Sequence, residues 1–254
     1  MSNASSHSTS EQAAAAQHEP IHMVDLGGLH ARLRPELDQA IDQVLAESSF
    51  IRGKHVASFE QRLNDSLALG GHVVGCGNGT DALALALRAL DVGPEDEVIV
   101  PDFSFISTAE TVAIRGAIPV FVDIDPRTFQ LDLSSAKRAI SPRTKAVVPV
   151  HLFGQCADMQ PLMAWALEHG LKVIEDNAQS LGATCHGASG LAAGTVGHLG
   201  TTSFFPSKNL GCMGDGGAVL VGQATPAEER AALAETVRRL ANHGASRKYH
   251  HVAV

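Results

Sequence analysis

The sequence predicts an α/β protein built on an open, mainly parallel sheet, and three observations support this class. Short apolar runs that are typical of buried strands alternate with helical patterns from about residue 72 to residue 180. Polar residues follow several of these runs, as they do at the carboxyl ends of parallel strands. With 254 residues and 44% hydrophobic content, the chain can bury the core of one large domain.

The N-terminal part precedes this alternation. Residues 1–20 are rich in Ser, Ala, Gln and His and lack both Lys and Arg. They lack the charged start and apolar centre of a secretion signal, so we expect a disordered tail. From Leu29 to about Leu69, apolar residues recur at helical spacing, which predicts two helices separated by Gly53.

The alternating part follows in a regular order. The predicted strands are "HVVGC", "DEVIVP", "IPVFVDID", "TKAVVPVH" and "LKVIEDNAQS". The predicted helices are "DALALALRAL", "STAETVAIRG", "LSSAKRAI" and "MQPLMAWALEHG". Because parallel neighbours need crossover connections, this alternation predicts parallel strands with ligands at their carboxyl ends. Four polar residues fall at those ends: Asp102, Asp123, His151 and Asp176.

The last part of the chain is rich in glycine. The segment "GASGLAAGTVGHLG" precedes the strand-like "TTSFF", and a second glycine cluster, "GCMGDGGAVLVG", follows it. A helical pattern then runs from Pro226 to about Ala241.

Charge and cysteine usage exclude several function classes. A net charge of −8 and the absence of Lys/Arg runs argue against a nucleic-acid groove. No apolar stretch approaches the 18 residues of a membrane span. The four cysteines are widely spaced and contain no C-x-x-C pair, so we expect reduced thiols in a cytoplasmic protein and no metal site.

The glycine-rich corner after the first strand, "VVGCGNGTDAL", leaves three alternatives open. A helix N-terminus preceded by glycines suits phosphate. It also suits the adenosine part of a dinucleotide or of S-adenosylmethionine, although the spacing of Gly75, Gly77 and Gly79 is not G-x-G-x-x-G. The third alternative is a tight turn that holds no ligand.

Lys208 and Asp176 favour phosphate. Five of the six lysines have polar neighbours, whereas Lys208 lies between an apolar strand and glycines, where a partly buried amine can form a Schiff base. Asp176 ends an apolar strand, and a buried carboxylate needs a cationic partner such as a protonated pyridine. Pyridoxal 5′-phosphate requires a lysine, a carboxylate and an anion cup. Lys208, Asp176 and the corner at Gly79 and Thr80 supply them.

With these residues in place, the chain resembles the DegT/StrS-type nucleotide-sugar aminotransferases, pyridoxal-phosphate enzymes of fold type I. The resemblance runs from about Ile21 to Val254. It depends on an ordered set of motifs: "GNGTDAL", "FSFISTAE", "VDIDPRTFQLD", "VHLFGQ", "VIEDNAQS", "TSFFPSKNLGCMGDGGA" and "NHG…KYHH".

The resemblance implies a role for each matching residue. Lys208 would carry the cofactor, and Asp176 would face its pyridine nitrogen; these are the two implied catalytic residues. Gln179 would lie beside the 3′-oxygen, Phe105 would stack on the ring, and Ser203 would join the phosphate cup. The full implied cofactor site is Gly79, Thr80, Phe105, Asp176, Gln179, Ser203 and Lys208.

The resemblance also implies a reaction and its partners. The expected reaction moves an amino group from glutamate to a keto group of a nucleotide-linked sugar, in a homodimer whose active sites are shared. The motifs are most similar to transaminases of UDP-2-acetamido-2-deoxy-3-keto-hexuronates, which serve bacterial surface polysaccharides such as lipopolysaccharide O-antigen. A 4-keto-6-deoxy sugar is the alternative. Sugar dehydratases of this family carry histidine in place of the lysine, so Lys208 argues against them.

One departure from the family pattern affects the domain assignment. After "KYHH", family members continue into an "NSRLD"-like motif and a small C-terminal domain, and this sequence contains neither. We therefore expect a large cofactor-binding domain over residues 21–254 without the small domain. A fragment and a truncated, non-catalytic member both stay open, and we expect residues 1–254 alone to bind the cofactor weakly.

Overall fold

The computed structural model describes residues 23–69, 72–187, 190–247 and 250–252. The helices are α1 (Leu26–Glu47), α2 (Lys54–Leu67), α3 (Gly79–Ala89), α4 (Ser107–Ile114), α5 (Leu133–Ala139), α6 (Met159–Glu168) and α7 (Ala227–Leu240). The strands are β1 (Val73–Cys76), β2 (Glu97–Pro101), β3 (Ile118–Val122), β4 (Thr144–Val147), β5 (Lys172–Asp176), β6 (Leu199–Ser203), β7 (Gly217–Val221), β8 (Ala245–Arg247) and β9 (His250–His251). The tail predicted over residues 1–20 lies outside the described residues.

The two predicted N-terminal helices are present, and Gly53 is the residue before the second. Helix α2 packs on β1 through Leu63 and Leu67. Helix α1 is 22 residues long and buries none of its side chains. No helix in the described ranges is long and apolar enough to cross a bilayer. Four leucine or isoleucine side chains of α1 are exposed: Leu29, Leu33, Ile41 and Leu45.

Seven strands form one sheet in the order β1-β7-β6-β5-β4-β2-β3. The pairs β2–β3, β2–β4, β4–β5 and β5–β6 are parallel. The fold-class prediction of a mainly parallel α/β sheet is thus confirmed. Helices α4, α5 and α6 form the crossover connections from β2 to β3, from β3 to β4 and from β4 to β5, whereas the segment 177–198 between β5 and β6 has no helix among its described residues.

Strand β7 was not predicted, and it is antiparallel to both of its neighbours, β1 and β6. The loop 204–216 joins β6 to β7 without a helix, so β7 returns beside β6 in the opposite direction. Its first residue, Gly217, explains why the segment resembles a loop in sequence. A Cβ there would lie 2.3 Å from the Asn78 carbonyl oxygen, so only glycine fits this close approach.

Helices cover both faces of the sheet. Val98 and Val100 of β2 point to the face covered by α3, α4 and α7, whereas Ile99 points to the face covered by α5 and α6. All five residues of β2 are buried. A strand buried on both sides reads as a continuous apolar run, which is the pattern the sequence shows.

The cysteine prediction was wrong for one pair. Cys156 and Cys185 form a disulfide, with Cα atoms 5.3 Å apart. The loop after Leu152–Gly154, a 3₁₀ turn, and the loop after β5 lie side by side, an approach that spacing in the sequence does not reveal. Cys76 and Cys212 are free, and burial raises the pKa of the Cys76 thiol to about 12, so that thiol stays protonated.

Candidate active site

The glycine corner brings the N-terminus of α3 against β6. Asn78 is the N-cap of α3, and its side chain accepts a hydrogen bond from the Asp81 N–H at 2.8 Å. A Cβ on Gly79 would lie 2.8 Å from the Ser203 Cβ, so glycine is required for this approach. The first free N–H groups of α3 therefore lie beside the Ser203 hydroxyl, which gives an anion two sources of donors.

Two further hydroxyl groups complete this end of the site. The Thr80 Oγ1 and Ser107 Oγ atoms are 2.7 Å apart, which links the first turns of α3 and α4. The Ser203 Oγ accepts a hydrogen bond from the Phe205 N–H at 3.2 Å and keeps its own proton for another acceptor.

Asp176 ends β5 and is 6% exposed. Its Oδ2 accepts a hydrogen bond from the Thr108 hydroxyl at 2.8 Å, and its Oδ1 accepts one from the Ala178 N–H at 3.2 Å. Burial raises the pKa of Asp176 above its ordinary value, and these two hydrogen bonds oppose that shift. Nearby Lys208 opposes it as well, although by less.

The preceding residue, Glu175, points away from this site and is fully buried. Its Oε2 lies 2.7 Å from the His151 Nε2. The His151 Nδ1 accepts a hydrogen bond from the Ala157 N–H at 3.1 Å, so Nε2 is the ring nitrogen that donates to Glu175. The backbone N–H of His151 donates to the Asp176 carbonyl oxygen at 2.9 Å, which fixes the backbone at the end of β5.

Lys208 lies in the loop that follows β6. Its backbone N–H donates to the Phe205 carbonyl oxygen at 2.8 Å, which closes a turn at this point. Its side chain is half-buried, and the ion pairs found in the described residues do not include it. A partly desolvated amine without a carboxylate partner suits Schiff-base chemistry.

Gln179 and Phe105 occupy the remaining walls. The Gln179 Oε1 accepts a hydrogen bond from the Phe153 N–H at 2.8 Å, which leaves the amide NH₂ free to donate elsewhere. Phe153 has a left-handed backbone with φ of 58°, an uncommon conformation for a bulky residue. The ring of Phe105 is 68% exposed, so a planar ligand can lie against it.

The N-terminus of α3, the end of β5 and the loop after β6 line one cavity of about 470 Å³. All seven site residues predicted from the sequence lie on its wall, and so does Ser104, whose buried Oγ has no hydrogen-bond partner among the described residues. Of the four polar residues predicted at strand ends, only Asp176 lines the cavity. Asp102 and Asp123 are exposed elsewhere, and His151 lies behind Asp176.

The sequence did not single out Thr108 or the pair formed by His151 and Glu175. Thr108 belongs to the recognised motif "FSFISTAE", which was the available signal, but only the fold brings it to Asp176. His151 also belongs to the one group in the described residues whose ligand atoms could reach a common metal ion, together with Cys156 and Cys185. The two sulfur atoms are bonded to each other, so we assign no ion there.

The donor set fits pyridoxal phosphate. An anion can lie at the N-terminus of α3 among hydroxyl groups, a cationic ring nitrogen can meet the buried Asp176, and an aldehyde can reach the Lys208 amine. The space between Gly79 and Ser203, which a Cβ on Gly79 would fill, supports this fit independently of the charges.

Comparisons with known proteins agree with this fit. Residues 31–253 match the DegT/DnrJ/EryC1/StrS aminotransferase family. The chain is 47% identical to a UDP-2-acetamido-2-deoxy-3-oxo-D-glucuronate aminotransferase of Pseudomonas aeruginosa, over 92% of this chain and 62% of that protein. It is 48% identical to a UDP-N-acetyl-3-dehydro-alpha-D-glucosamine 3-aminotransferase of Acidithiobacillus ferrooxidans, over 92% of this chain and 61% of that one.

Solved structures show the same likeness. A DegT DnrJ EryC1 StrS aminotransferase from Brucella abortus superposes with a TM-score of 0.84 at 40% identity, covering 92% of this chain and 62% of that one. The ntda protein from Bacillus subtilis, solved with bound cofactor pmp, superposes with a TM-score of 0.75 at 34% identity, covering 85% and 47%. These findings confirm the predicted resemblance and cofactor. The chain spans about three fifths of the length of the curated relatives named here.

Proposed function

This chain belongs to the DegT/DnrJ/EryC1/StrS aminotransferase family, and on that premise we propose that it is the cofactor-binding part of a pyridoxal-phosphate-dependent aminotransferase. The reaction moves an amino group from glutamate to a keto group of a nucleotide-linked sugar. The observation that carries the proposal is the convergence of Asp176, Lys208 and the N-terminus of α3 on one cavity.

When bound, the cofactor supplies an electron-withdrawing ring that stabilises negative charge at the substrate carbon. Asp176 holds the proton on the ring nitrogen, which keeps the ring electron-withdrawing. Lys208 binds the aldehyde and, when its amine is free, accepts a proton at Nζ and returns it. Its side chain lines the cavity.

The remaining predicted residues orient the cofactor. Gly79 and Thr80 offer the N–H groups and hydroxyl of α3, and Ser203 adds a second hydroxyl to the phosphate cup. Phe105 stacks on the ring. Gln179, held at Oε1 by the Phe153 N–H, would offer its NH₂ group to the 3′-oxygen.

We propose a UDP-2-acetamido-2-deoxy-3-keto-hexuronate as the sugar substrate, in bacterial surface-polysaccharide synthesis such as that of lipopolysaccharide O-antigen. The motif resemblance and the names of the two relatives support this choice. The alternative is a 4-keto-6-deoxy sugar. A panel of UDP- and dTDP-keto sugars, assayed with glutamate in the full-length gene product, separates the two: turnover of only the 4-keto-6-deoxy sugars contradicts the first choice.

The proposal includes a cytoplasmic homodimer with shared active sites. The exposed apolar side chains of α1 support it, because a surface helix that buries no side chain leaves apolar area for a partner. Sedimentation measures the association state, and a fully active monomer contradicts the shared site.

The decisive experiment concerns Lys208. We expect added pyridoxal phosphate to give the absorbance band of a Schiff base. Borohydride reduces this Schiff base and links the cofactor covalently to the peptide that contains Lys208, which mass spectrometry detects. Lys208→Ala abolishes this adduct and transamination because no other amine is placed to serve. Lys137→Ala, on the exposed face of α5, is the control and keeps both. An adduct elsewhere, or a tenth of wild-type turnover in a full-length Lys208→Ala protein, overturns the assignment.

A further inference from the structure

Thr108 connects the start of α4 to the end of β5. It is 2% exposed, and its hydroxyl donates to the Asp176 Oδ2 at 2.8 Å across 68 residues of sequence. The next threonine on the same helix behaves differently, since the Thr111 hydroxyl donates back to the Ser107 carbonyl oxygen at 2.8 Å. A residue in the first turn has no helical carbonyl four residues before it, so the Thr108 hydroxyl is available for a distant acceptor.

The neighbouring residue, Ser107, contacts a different part of the cavity wall. Ser107 contacts the Thr80 hydroxyl in the predicted phosphate cup, while Thr108 contacts Asp176. Two consecutive side chains of one helix therefore connect the anion-binding end of the cavity with its carboxylate end. Functional groups held on a rigid element keep their separation more accurately than groups held on loops.

Opposing interactions act on the protonation of Asp176. Burial favours the neutral acid, whereas the donors Thr108 and Ala178 favour the carboxylate. His151 and Lys208 are the titratable groups that act on it from the neighbouring loops, and Asp215 lines the same cavity at its exposed rim. A protonated carboxyl group cannot serve as counter-ion to a cationic ring nitrogen.

We propose that Thr108 is a positioning residue that holds Asp176 as an ionised, oriented acceptor for the cationic nitrogen of a heteroaromatic ring. This inference rests on the proposed function. The hydroxyl uses one lone pair of Oδ2, and the Ala178 N–H fixes Oδ1, so the carboxylate plane is set before a ligand arrives. Loss of the hydroxyl removes the hydrogen bond that fixes Oδ2 and that favours the ionised form.

The first test uses the cofactor-free chain. Thr108→Val removes the hydroxyl at nearly constant volume, and Thr111→Val is the matched control on the same helix. Hydrogen bonds to an ionised carboxylate are roughly twice as strong as neutral ones. We therefore expect Thr108→Val to lower the thermal midpoint about twice as much at a pH where Asp176 is ionised as at a pH where it is protonated, whereas Thr111→Val lowers it equally at both. Thr108→Ser restores the wild-type pH dependence.

The second test uses bound pyridoxal phosphate. We expect Thr108→Val to weaken binding about tenfold, the effect of losing one charge-assisted hydrogen bond. It also moves the pH at which the cofactor absorbance changes, which a purely structural residue would not do. Thr111→Val keeps that pH.

The outcomes separate this inference from the proposed function. If the wild-type chain binds no pyridoxal phosphate, the function fails, while the comparison of midpoints at the two pH values, with Asp176 ionised and protonated, still decides the role of Thr108. Equal losses at both pH values for Thr108→Val overturn the inference even if the cofactor binds. Should Thr108→Val not fold, Thr108→Ala, which adds no bulk, takes its place in both measurements.

Discussion

The two carboxylates at the end of β5 are neighbours in sequence and opposites in environment. Glu175 is fully buried and accepts hydrogen bonds from His151 and from three backbone N–H groups, those of Gly194, Val196 and Gly197, at 2.6–2.9 Å. Asp176 has two donors and faces the cavity. A carboxylate that stabilises the fold has all its acceptor positions occupied by protein donors. A carboxylate that binds a ligand has acceptor positions that no protein donor occupies.

The largest expected effect is on the free energy of unfolding and comes from changing Glu175, whose acceptor positions are all occupied. Glu175→Gln replaces an acceptor by an NH₂ group that faces N–H donors, and breaking a buried, fully paired charge costs roughly 3–5 kcal/mol. We expect that loss of unfolding free energy in urea denaturation. Glu168→Gln, an exposed residue at the end of α6, is the control and stays within about 0.5 kcal/mol. A loss below about 1 kcal/mol for Glu175→Gln would contradict the structural role.

For Asp176, which faces the cavity, we expect a loss of activity and a retained fold. We expect Asp176→Asn to lower turnover at least about a hundredfold, because an uncharged amide does not hold the proton on the ring nitrogen. The fold survives the change. Asp102→Asn, at a strand end outside the cavity, keeps its turnover. Unchanged turnover with normal cofactor occupancy in Asp176→Asn means that another residue holds the nitrogen.

The same variant has a pH signature in the cofactor-free chain. Because burial raises the pKa of Asp176 in the folded state, its stabilising contribution is present below the unfolded pKa and is lost as pH rises through the folded pKa. Asp176→Asn lacks this loss, so its thermal midpoint should rise relative to wild type as the pH increases above about 4, the unfolded pKa of an aspartate. A flat difference for Asp176→Asn would mean that burial does not control its ionisation.

The smallest expected effect tests the anion-binding end. Gly79→Ala places a Cβ against Ser203, and separating α3 from β6 costs about 1–3 kcal/mol and weakens phosphate binding. Gly93→Ala is the control, since a Cβ there meets nothing within 4 Å and restricts only the unfolded chain. Inorganic phosphate titrations and urea denaturation measure both variants. Equal behaviour of the two alanine variants would remove the steric argument for Gly79.

The parallel part of the sheet was predictable because its strands are short apolar runs that alternate with segments of helical periodicity. Asp176 and Lys208 were accessible to sequence reasoning for a related reason: each is a charged residue in apolar surroundings. Strand β7 was missed because Gly217, which lets it pass beside Asn78, is also a turn former. Thr108 and the His151–Glu175 pair were missed because their partners lie far apart in the chain and meet only in the folded sheet.

The antiparallel insertion of β7 also fixes the order in which the chain can fold during its synthesis. Within the main sheet, β1 pairs with β7 alone, through contacts such as Val73 with Leu220. At roughly 5–20 residues per second, a ribosome needs on the order of 10 s between making these two residues. Throughout that interval β1 has no strand partner, and Asn78 has not met Gly217. The anion-binding corner, encoded early, is therefore among the last parts of the molecule to form.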